Sequence, residues 1–99
     1  MRNRLLSLLL LSLYGSMLFA QEPLDINDVE RVPLGDFTYQ WRNIYDRTPL
    51  HGKCRIILSY RSYTIAHFNK DGILDGLYEK YEDNHLVQKL TYVKGILRG

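Results

Sequence analysis

The chain has 99 residues, with 13 basic and 11 acidic side chains and a single cysteine. This length is enough for one small domain. One cysteine excludes an internal disulfide, although such links are common in small exported proteins. The fold therefore has to be stabilised by packing and backbone hydrogen bonds.

The first twenty residues have the composition of a secretion signal. Arg2 and Arg4 form a positive n-region, residues 5–13 are almost unbroken leucine, and small residues lead up to Ala20. We therefore predict a signal helix cleaved after Ala20 and export to the periplasm, the outer envelope or the medium. An uncleaved anchor is the alternative, although the apolar stretch of 16 residues is shorter than the roughly 20 residues of a bilayer span.

Cleavage changes the charge of the protein. It removes two arginines and leaves 11 basic residues against 11 acidic ones in residues 21–99. A net charge of zero gives no electrostatic reason to expect nucleic acid or an anionic membrane surface as a partner.

The beginning of the predicted mature chain differs from the rest. Residues 21–35 contain two prolines and several acidic side chains, which favour a linker or an N-terminal arm, with a short helical turn at 26–31 as an alternative. In residues 36–45, Phe37, Tyr39 and Trp41 alternate with polar side chains and predict a first strand. We interpret this strand as the degenerate half of an N-terminal repeat unit, which caps the first hairpin.

A short unit recurs three times in the second half of the chain. Each copy reads aromatic, polar turn, apolar, leucine, polar, glycine, over residues 45–52, 68–76 and 92–99. The copies are 23 to 24 residues apart, which is typical of a repeat architecture. Glycine takes positive φ at little steric cost and so marks turns and unit ends. The glycines that we predict to be structural are Gly52, Gly72, Gly76, Gly95 and Gly99.

Between these turns, apolar and polar residues alternate with the period of two that indicates half-buried strands. Cys54, Ile56, Leu58 and Tyr60 are predicted to share the inner face of one strand, so we interpret Cys54 as a small buried hydrophobe. A thiolate activated by its two basic neighbours is the alternative. No window shows the spacing of a long amphipathic helix. We predict an all-β fold, a meander of antiparallel β-hairpins.

Residues 76–84 and 90–99 resemble the MORN repeat, and most closely its bacterial variant, whose units combine tyrosines, Asn-Gly turns and a final Leu-x-Gly. The resemblance covers residues 45–99 and implies hairpins stacked into a single elongated sheet. His85 departs from the pattern because a glycine usually stands there, which predicts a different turn type. Residues 59–66 also lack a turn glycine, so Arg61 and Ser62 are expected to turn the chain.

No pattern in the sequence assembles a catalytic or metal site. His51, His67 and His85 are 16 and 18 residues apart, without the short-range pairs of metal ligands. The carboxylates are spread through turns and exposed strand positions and are interpreted as a solvated face. We therefore predict no catalytic residue, no metal and no cofactor.

The recurring aromatic residues are the candidate interaction surface. On a single-layer sheet one face stays exposed, and tyrosines there offer a large contact area at low entropic cost. The alternative is that these residues pack between adjacent hairpins as the core of the repeat. The candidates are Trp41, Tyr63, Tyr78, Tyr81 and Tyr92.

Export and the repeat together predict a non-enzymatic protein that presents a β-sheet surface to another protein or to a cell-envelope component. Some bacterial MORN-variant proteins are labelled antitoxins, so an antitoxin- or immunity-type protein that binds a toxin is one alternative. A small envelope hydrolase that uses His67 or His85 with a nearby carboxylate is another. The last unit closes at Gly99, and we expect either a short or truncated member of a longer repeat protein or weak self-association through the terminal edge strand.

Overall fold

A computed structural model describes residues 22–35 and 37–99, and the predicted signal helix lies outside the described residues. Within these ranges the chain is mostly β and is built on antiparallel hairpins, as predicted. None of the described segments is a helix of the length and hydrophobicity that a membrane crossing requires. The elements are β1 (Leu24–Asp25), a 3-10 helix (Ile26–Asp28), β2 (Val29–Gly35), β3 (Thr38–Asn43), β4 (Gly52–Ser59), β5 (Ser62–Phe68), β6 (Leu74–Glu82), β7 (His85–Val93) and β8 (Ile96–Leu97).

The strands form two sheets. The main sheet has six strands in the order β1-β4-β5-β6-β7-β8, and β2 and β3 form a separate antiparallel pair. Every neighbouring pair in the main sheet is antiparallel except β1 and β4, which run parallel. The expected single sheet is therefore accompanied by a second, smaller one, and the main sheet is mixed at its β1 edge.

The hairpins β4–β5 and β6–β7 have the same construction. Gly52 pairs with Phe68 at the base of the first hairpin, and Gly76 pairs with Tyr92 at the base of the second. Both glycines have positive φ, at 75° and 122°, a region that other residues seldom adopt. The 24-residue spacing of the two glycines thus corresponds to an equivalent register in consecutive hairpins.

The core lies on one face of the main sheet, which we call the inner face. As predicted, Cys54 and Ile56 are buried there, and Leu58 packs against them. Tyr60 is a correction, because β4 ends at Ser59 and Tyr60 lies in the following turn with 95% of its surface exposed. The buried apolar residues are Trp41, Leu50, Cys54, Ile56, Ala66, Phe68 and Leu74.

Residues 21–35 are predicted to be a linker or an N-terminal arm, and the linker alternative does not hold for most of this range. Residues 24–35 form β1, the 3-10 helix and β2, and β2 pairs with β3 along most of its length. The helical turn predicted over residues 26–31 is present but is only three residues long, Ile26–Asp28. It begins where the Asp25 side chain accepts a hydrogen bond from the Asn27 amide and ends at Val29, which starts β2. Pro33 is tolerated in β2 because the strand has a free edge.

Strand β3 lies across the ends of the repeat units, and we call this region the closed end. The Leu50 amide donates to the Trp41 carbonyl, and the Trp41 amide donates to the Gly72 carbonyl at 2.7 Å. A Cβ atom on Gly72 would collide with the Trp41 carbonyl oxygen, and one on Gly95 would lie 2.7 Å from Thr38 Cγ2. β3 therefore contacts all three repeat turns rather than capping the first hairpin alone, and the inner glycines allow this close approach.

Candidate functional site

The tips of the two long hairpins meet at the opposite end of the main sheet, the tip end. The first tip is Tyr60 and Arg61 rather than the predicted Arg61 and Ser62, because Ser62 already pairs with Ser59. The Asp83 amide donates to the Arg61 carbonyl, and the two side chains form an ion pair at 3.6 Å. This contact holds the hairpin tips side by side.

The second tip is the two-residue turn Asp83 and Asn84. Asp83 and Asn84 have φ values of 50° and 64°, and two consecutive positive φ angles are the mark of a type I′ hairpin turn. The turn therefore keeps the backbone path that Asn-Gly would take, and it is not of a different type as His85 led us to predict. His85 is already the first residue of β7 and pairs with Glu82.

A stack of aromatic rings and a guanidinium lies on the outer face, which is the face of the main sheet opposite the core. Tyr63 and Tyr81 are direct partners across β5 and β6, with ring centroids 5.0 Å apart and planes 13° apart. The Arg55 guanidinium lies 4.2 Å from the Tyr63 ring centroid. Such a contact is worth about 0.5–1 kcal/mol when exposed. The three side chains form a preorganised platform, which we call the tyrosine platform.

The surroundings of Tyr81 in the platform favour its protonated, uncharged form. Partial burial, the nearby Glu79 carboxylate and the Tyr63 ring, in that order, raise the pKa of Tyr81 above its ordinary value. A phenol that keeps its proton can donate a hydrogen bond and lie against an apolar group. The platform therefore favours contact over acid–base chemistry.

Exposed apolar side chains border the tyrosine platform. Leu86 is the cross-strand partner of Tyr81 and is 48% exposed. Leu77 lies on the same face, four residues before Tyr81 in β6, and is also exposed. Large aromatic and aliphatic groups next to each other on an open sheet face are typical of a contact surface.

The five predicted surface aromatics divide between the two faces. Tyr63 and Tyr81 lie on the outer face, in the tyrosine platform. Trp41 is buried against Phe68, with ring centroids 5.5 Å apart. Tyr78 and Tyr92 lie on the inner face and pack edge to face at 6.0 Å, partly covered by the core. For Trp41 the core alternative is the correct one, because β3 brings this residue into a two-layer arrangement that a single sheet would not have.

The three histidines lie in different parts of the sheet. His67 lies in β5, and its Nδ1 is 3.0 Å from the Leu77 carbonyl oxygen. His85 begins β7 at the tip end, and His51 precedes β4 at the closed end. Among the described residues, no group of three or more metal-binding side chains comes together.

Cys54 is fully buried on the inner face of β4. Burial raises the pKa of its thiol, while a backbone hydrogen bond of His51 acts in the opposite direction. The Cys54 Sγ atom also lies 3.6 Å from the His51 carbonyl oxygen. A buried thiol with a raised pKa is a poor nucleophile. The structure thus places Cys54 as the small hydrophobe that strand alternation predicts, despite its basic neighbours.

Sequence reasoning missed Arg55 and Leu86 as members of this surface. A signal for Arg55 was present, because alternation around the inward-facing Cys54 already directs position 55 outward. Leu86 could not be assigned in this way. The β6–β7 register shifts between Lys80 and Tyr81, and such an irregularity is invisible in a pattern of alternation.

Comparison with protein-family models, with curated proteins and with solved structures finds no match to this chain.

Proposed function

We propose that this protein is an exported, non-enzymatic repeat protein of the MORN-like hairpin type, and that its outer sheet face binds another protein of the cell envelope. The observation that carries the proposal is the tyrosine platform. Tyr63 and Tyr81 are stacked and ordered before any partner arrives. Rigid aromatic groups lose little conformational entropy on binding, so they are effective anchors of an interface.

The MORN-like part of the proposal is supported by the repeated register. In both long hairpins a glycine of positive φ at or near the start of one strand pairs with an aromatic residue at or near the end of the next. The same construction 24 residues later is what stacked hairpin units require. The ribbon β2–β3 is an addition to this plan at the closed end.

The non-enzymatic part is supported by the surroundings of the residues that a hydrolase would need. His67 has the Leu77 carbonyl beside its ring, and Asp83 is engaged by Arg61. A triad needs a hydroxyl or thiol at the other ring nitrogen, and neither His67 nor His85 hydrogen-bonds a hydroxyl or carboxylate side chain among the described residues. Turnover of an envelope substrate by the purified protein, lost on His67→Gln, would contradict this part.

The binding surface can be tested by site-specific photocrosslinking in the native host. A benzophenone amino acid in place of Leu77 lies on the outer face beside the platform, whereas the same probe at Leu34 lies in β2, and both leucines are exposed. We expect a discrete protein adduct from position 77 and none from position 34. The protein identified in the adduct, purified separately, should bind the full-length product more weakly after Tyr81→Ala.

The outcome against this proposal is equal labelling from positions 77 and 34, or an adducted protein whose affinity is unchanged by Tyr81→Ala. Export is tested separately by sequencing the N-terminus of the protein from envelope and culture fractions. We expect the chain to begin at Gln21. Recovery of the intact chain from the cytoplasm alone would contradict export without bearing on the surface.

A further inference from the structure

An open groove of about 390 Å³ lies at the tip end, beside the tyrosine platform. Arginine, tyrosine and serine residues of the first hairpin form most of its wall, and Asp83 and Asn84 at the tip of the second hairpin complete it. Its lining includes Arg55, Tyr60, Arg61, Tyr63 and Asp83. A concave site with aromatic walls and a few convergent polar groups is the usual form of a recognition site.

The two arginines of the groove differ in their ion pairing. Arg61 is paired with Asp83, so part of its charge is already compensated. Three ion pairs form among the described residues, and Arg55 is in none of them. Its guanidinium is instead held against the Tyr63 ring. Stacking limits the guanidinium to a narrow range of positions while leaving the N–H groups along its edge available to an acceptor.

The charges next to the groove favour an anionic occupant. Alternation and register place three cations, Lys53, Arg55 and Lys89, and three carboxylates, Asp25, Asp75 and Glu79, on the outer face, so the face as a whole has no net charge. Within the groove, however, Arg55 and Arg61 stand against a single carboxylate, Asp83. A planar guanidinium fork binds a carboxylate in a bidentate manner and so prefers it to a point-like acceptor.

We infer that this groove takes a carboxylate side chain from an acidic segment of the partner protein, with Arg55 as the donor and the rest of the segment lying on the tyrosine platform. This inference rests on the proposed function. A protein segment is favoured over an acidic polysaccharide because exposed Leu77 and Leu86 border the platform, and these leucines require apolar side chains on the partner.

Binding of short synthetic peptides to the protein expressed from the full chain tests the inference. One peptide alternates leucine and glutamate, and its counterpart has glutamine at every glutamate. We expect the glutamate peptide to bind and to shift the Arg55 Nε–H resonance, and the glutamine peptide to bind at least about tenfold more weakly. Arg55→Lys should weaken the glutamate peptide about tenfold, because lysine keeps the charge but loses the fork.

Arg31 provides the matched control. Its guanidinium also lies over an aromatic ring, at 5.4 Å from the Trp41 centroid, but on β2. Arg31→Lys should leave peptide binding unchanged, and backbone spectra of both variants verify that they remain folded. Equal affinity for the two peptides, equal effects of the two substitutions, or no binding of the glutamate peptide at millimolar concentration would each overturn the inference.

Two further probes separate the sources of the anionic group. Polygalacturonate and phosphatidylglycerol vesicles present anions without apolar amino-acid side chains. Binding of either probe that depends on Arg55 and exceeds binding of the glutamate peptide would overturn the assignment to a protein segment. If the crosslinked adduct at position 77 persists unchanged in Arg55→Gln cells, the protein-binding surface stands and this inference alone fails.

Discussion

The hairpins β4–β5 and β6–β7 share one register but have different environments. In the first hairpin Cys54 and Ile56 are buried, whereas the residues 24 positions later, Tyr78 and Lys80, remain half-exposed. The difference does not come from the base of the hairpins, because Gly52 pairs with Phe68 and Gly76 with Tyr92 in the same register, and the two registers diverge only near the tips. It comes from what covers their inner faces.

The non-repeated N-terminal segment supplies that cover. The Trp41 ring lies against Phe68 at the base of the first hairpin, and Leu24, Ile26 and Val29 pack around the same cluster. The repeat therefore specifies hairpins, while the buried core depends on residues outside the repeat. A repeat unit without such a neighbour has only one layer with which to exclude water.

The largest expected effect is the loss of the Trp41 side chain. Trp41→Ala should lower the free energy of unfolding by about 3–5 kcal/mol, since it removes a large buried side chain and leaves a cavity. Tyr92→Ala, the matched truncation on the less covered hairpin, should cost about 1–2 kcal/mol, because less surface is buried there. Urea unfolding followed by circular dichroism measures both.

If Trp41→Ala leaves no folded protein to titrate, Trp41→Phe should show an intermediate loss and preserve the contrast with Tyr92. Equal losses at Trp41 and Tyr92 would mean that the two hairpins are stabilised alike. In that case β2–β3 would not be the source of the difference.

The next largest effect concerns the contact between β3 and the turns. Gly52 and Gly72 have almost the same φ, 75° and 76°, but an added Cβ atom would meet no neighbour within 4 Å at Gly52 and would collide with Trp41 at Gly72. Asparagine tolerates this region of φ well, so Gly52→Asn should cost less than about 1 kcal/mol. Gly72→Asn should cost at least about 2 kcal/mol more, because its Cβ collides with backbone of β3. The same unfolding titration compares the two variants, and equal costs would show that φ alone accounts for both glycines.

These contrasts show what could be predicted from the sequence. Alternation identifies the inner face at Cys54 and Ile56, and glycine spacing identifies the turns, because both depend on local geometry. The contact of Gly72 with Trp41 joins residues far apart in the chain, and nothing local encodes it. The sequence places Trp41 on a surface for the same reason, since a single sheet has no second layer that could bury it.

The candidate site was predictable to a smaller extent. Tyr63 and Tyr81 were named as surface residues, but their stacking depends on the β5–β6 register, which alternation does not determine. The groove is formed by two tips that approach each other through the Arg61–Asp83 contact. Neither tip carries a sequence motif that indicates binding. The position of the groove therefore becomes visible only in the folded chain.

A smaller effect should appear in the pH dependence of stability, through Cys54 in the covered hairpin. Burial raises the pKa of this thiol above its ordinary value of 9.0. As pH rises above that value, the unfolded chain loses the proton while the folded chain keeps it, so stability declines until the folded thiol also ionises. We expect the urea midpoint to fall more steeply above pH 9 in the parent protein than in Cys54→Ala. Parallel curves for the two proteins would contradict a buried, protonated thiol.

The smallest expected effect compares the two hairpin tips. Asn84 has a φ of 64°, whereas neither Tyr60 nor Arg61 is among the residues of positive φ. Glycine relieves strain only where φ is positive, and elsewhere it adds entropy to the unfolded chain. Asn84→Gly should therefore raise the free energy of unfolding by about 0.5 kcal/mol, and Arg61→Gly should lower it by about 0.5–1 kcal/mol. Differential scanning calorimetry resolves shifts of opposite sign in the melting temperature. A shift of the same sign for both variants would mean that the second tip does not have the I′ geometry, and that the two hairpins differ at their tips less than in their cover.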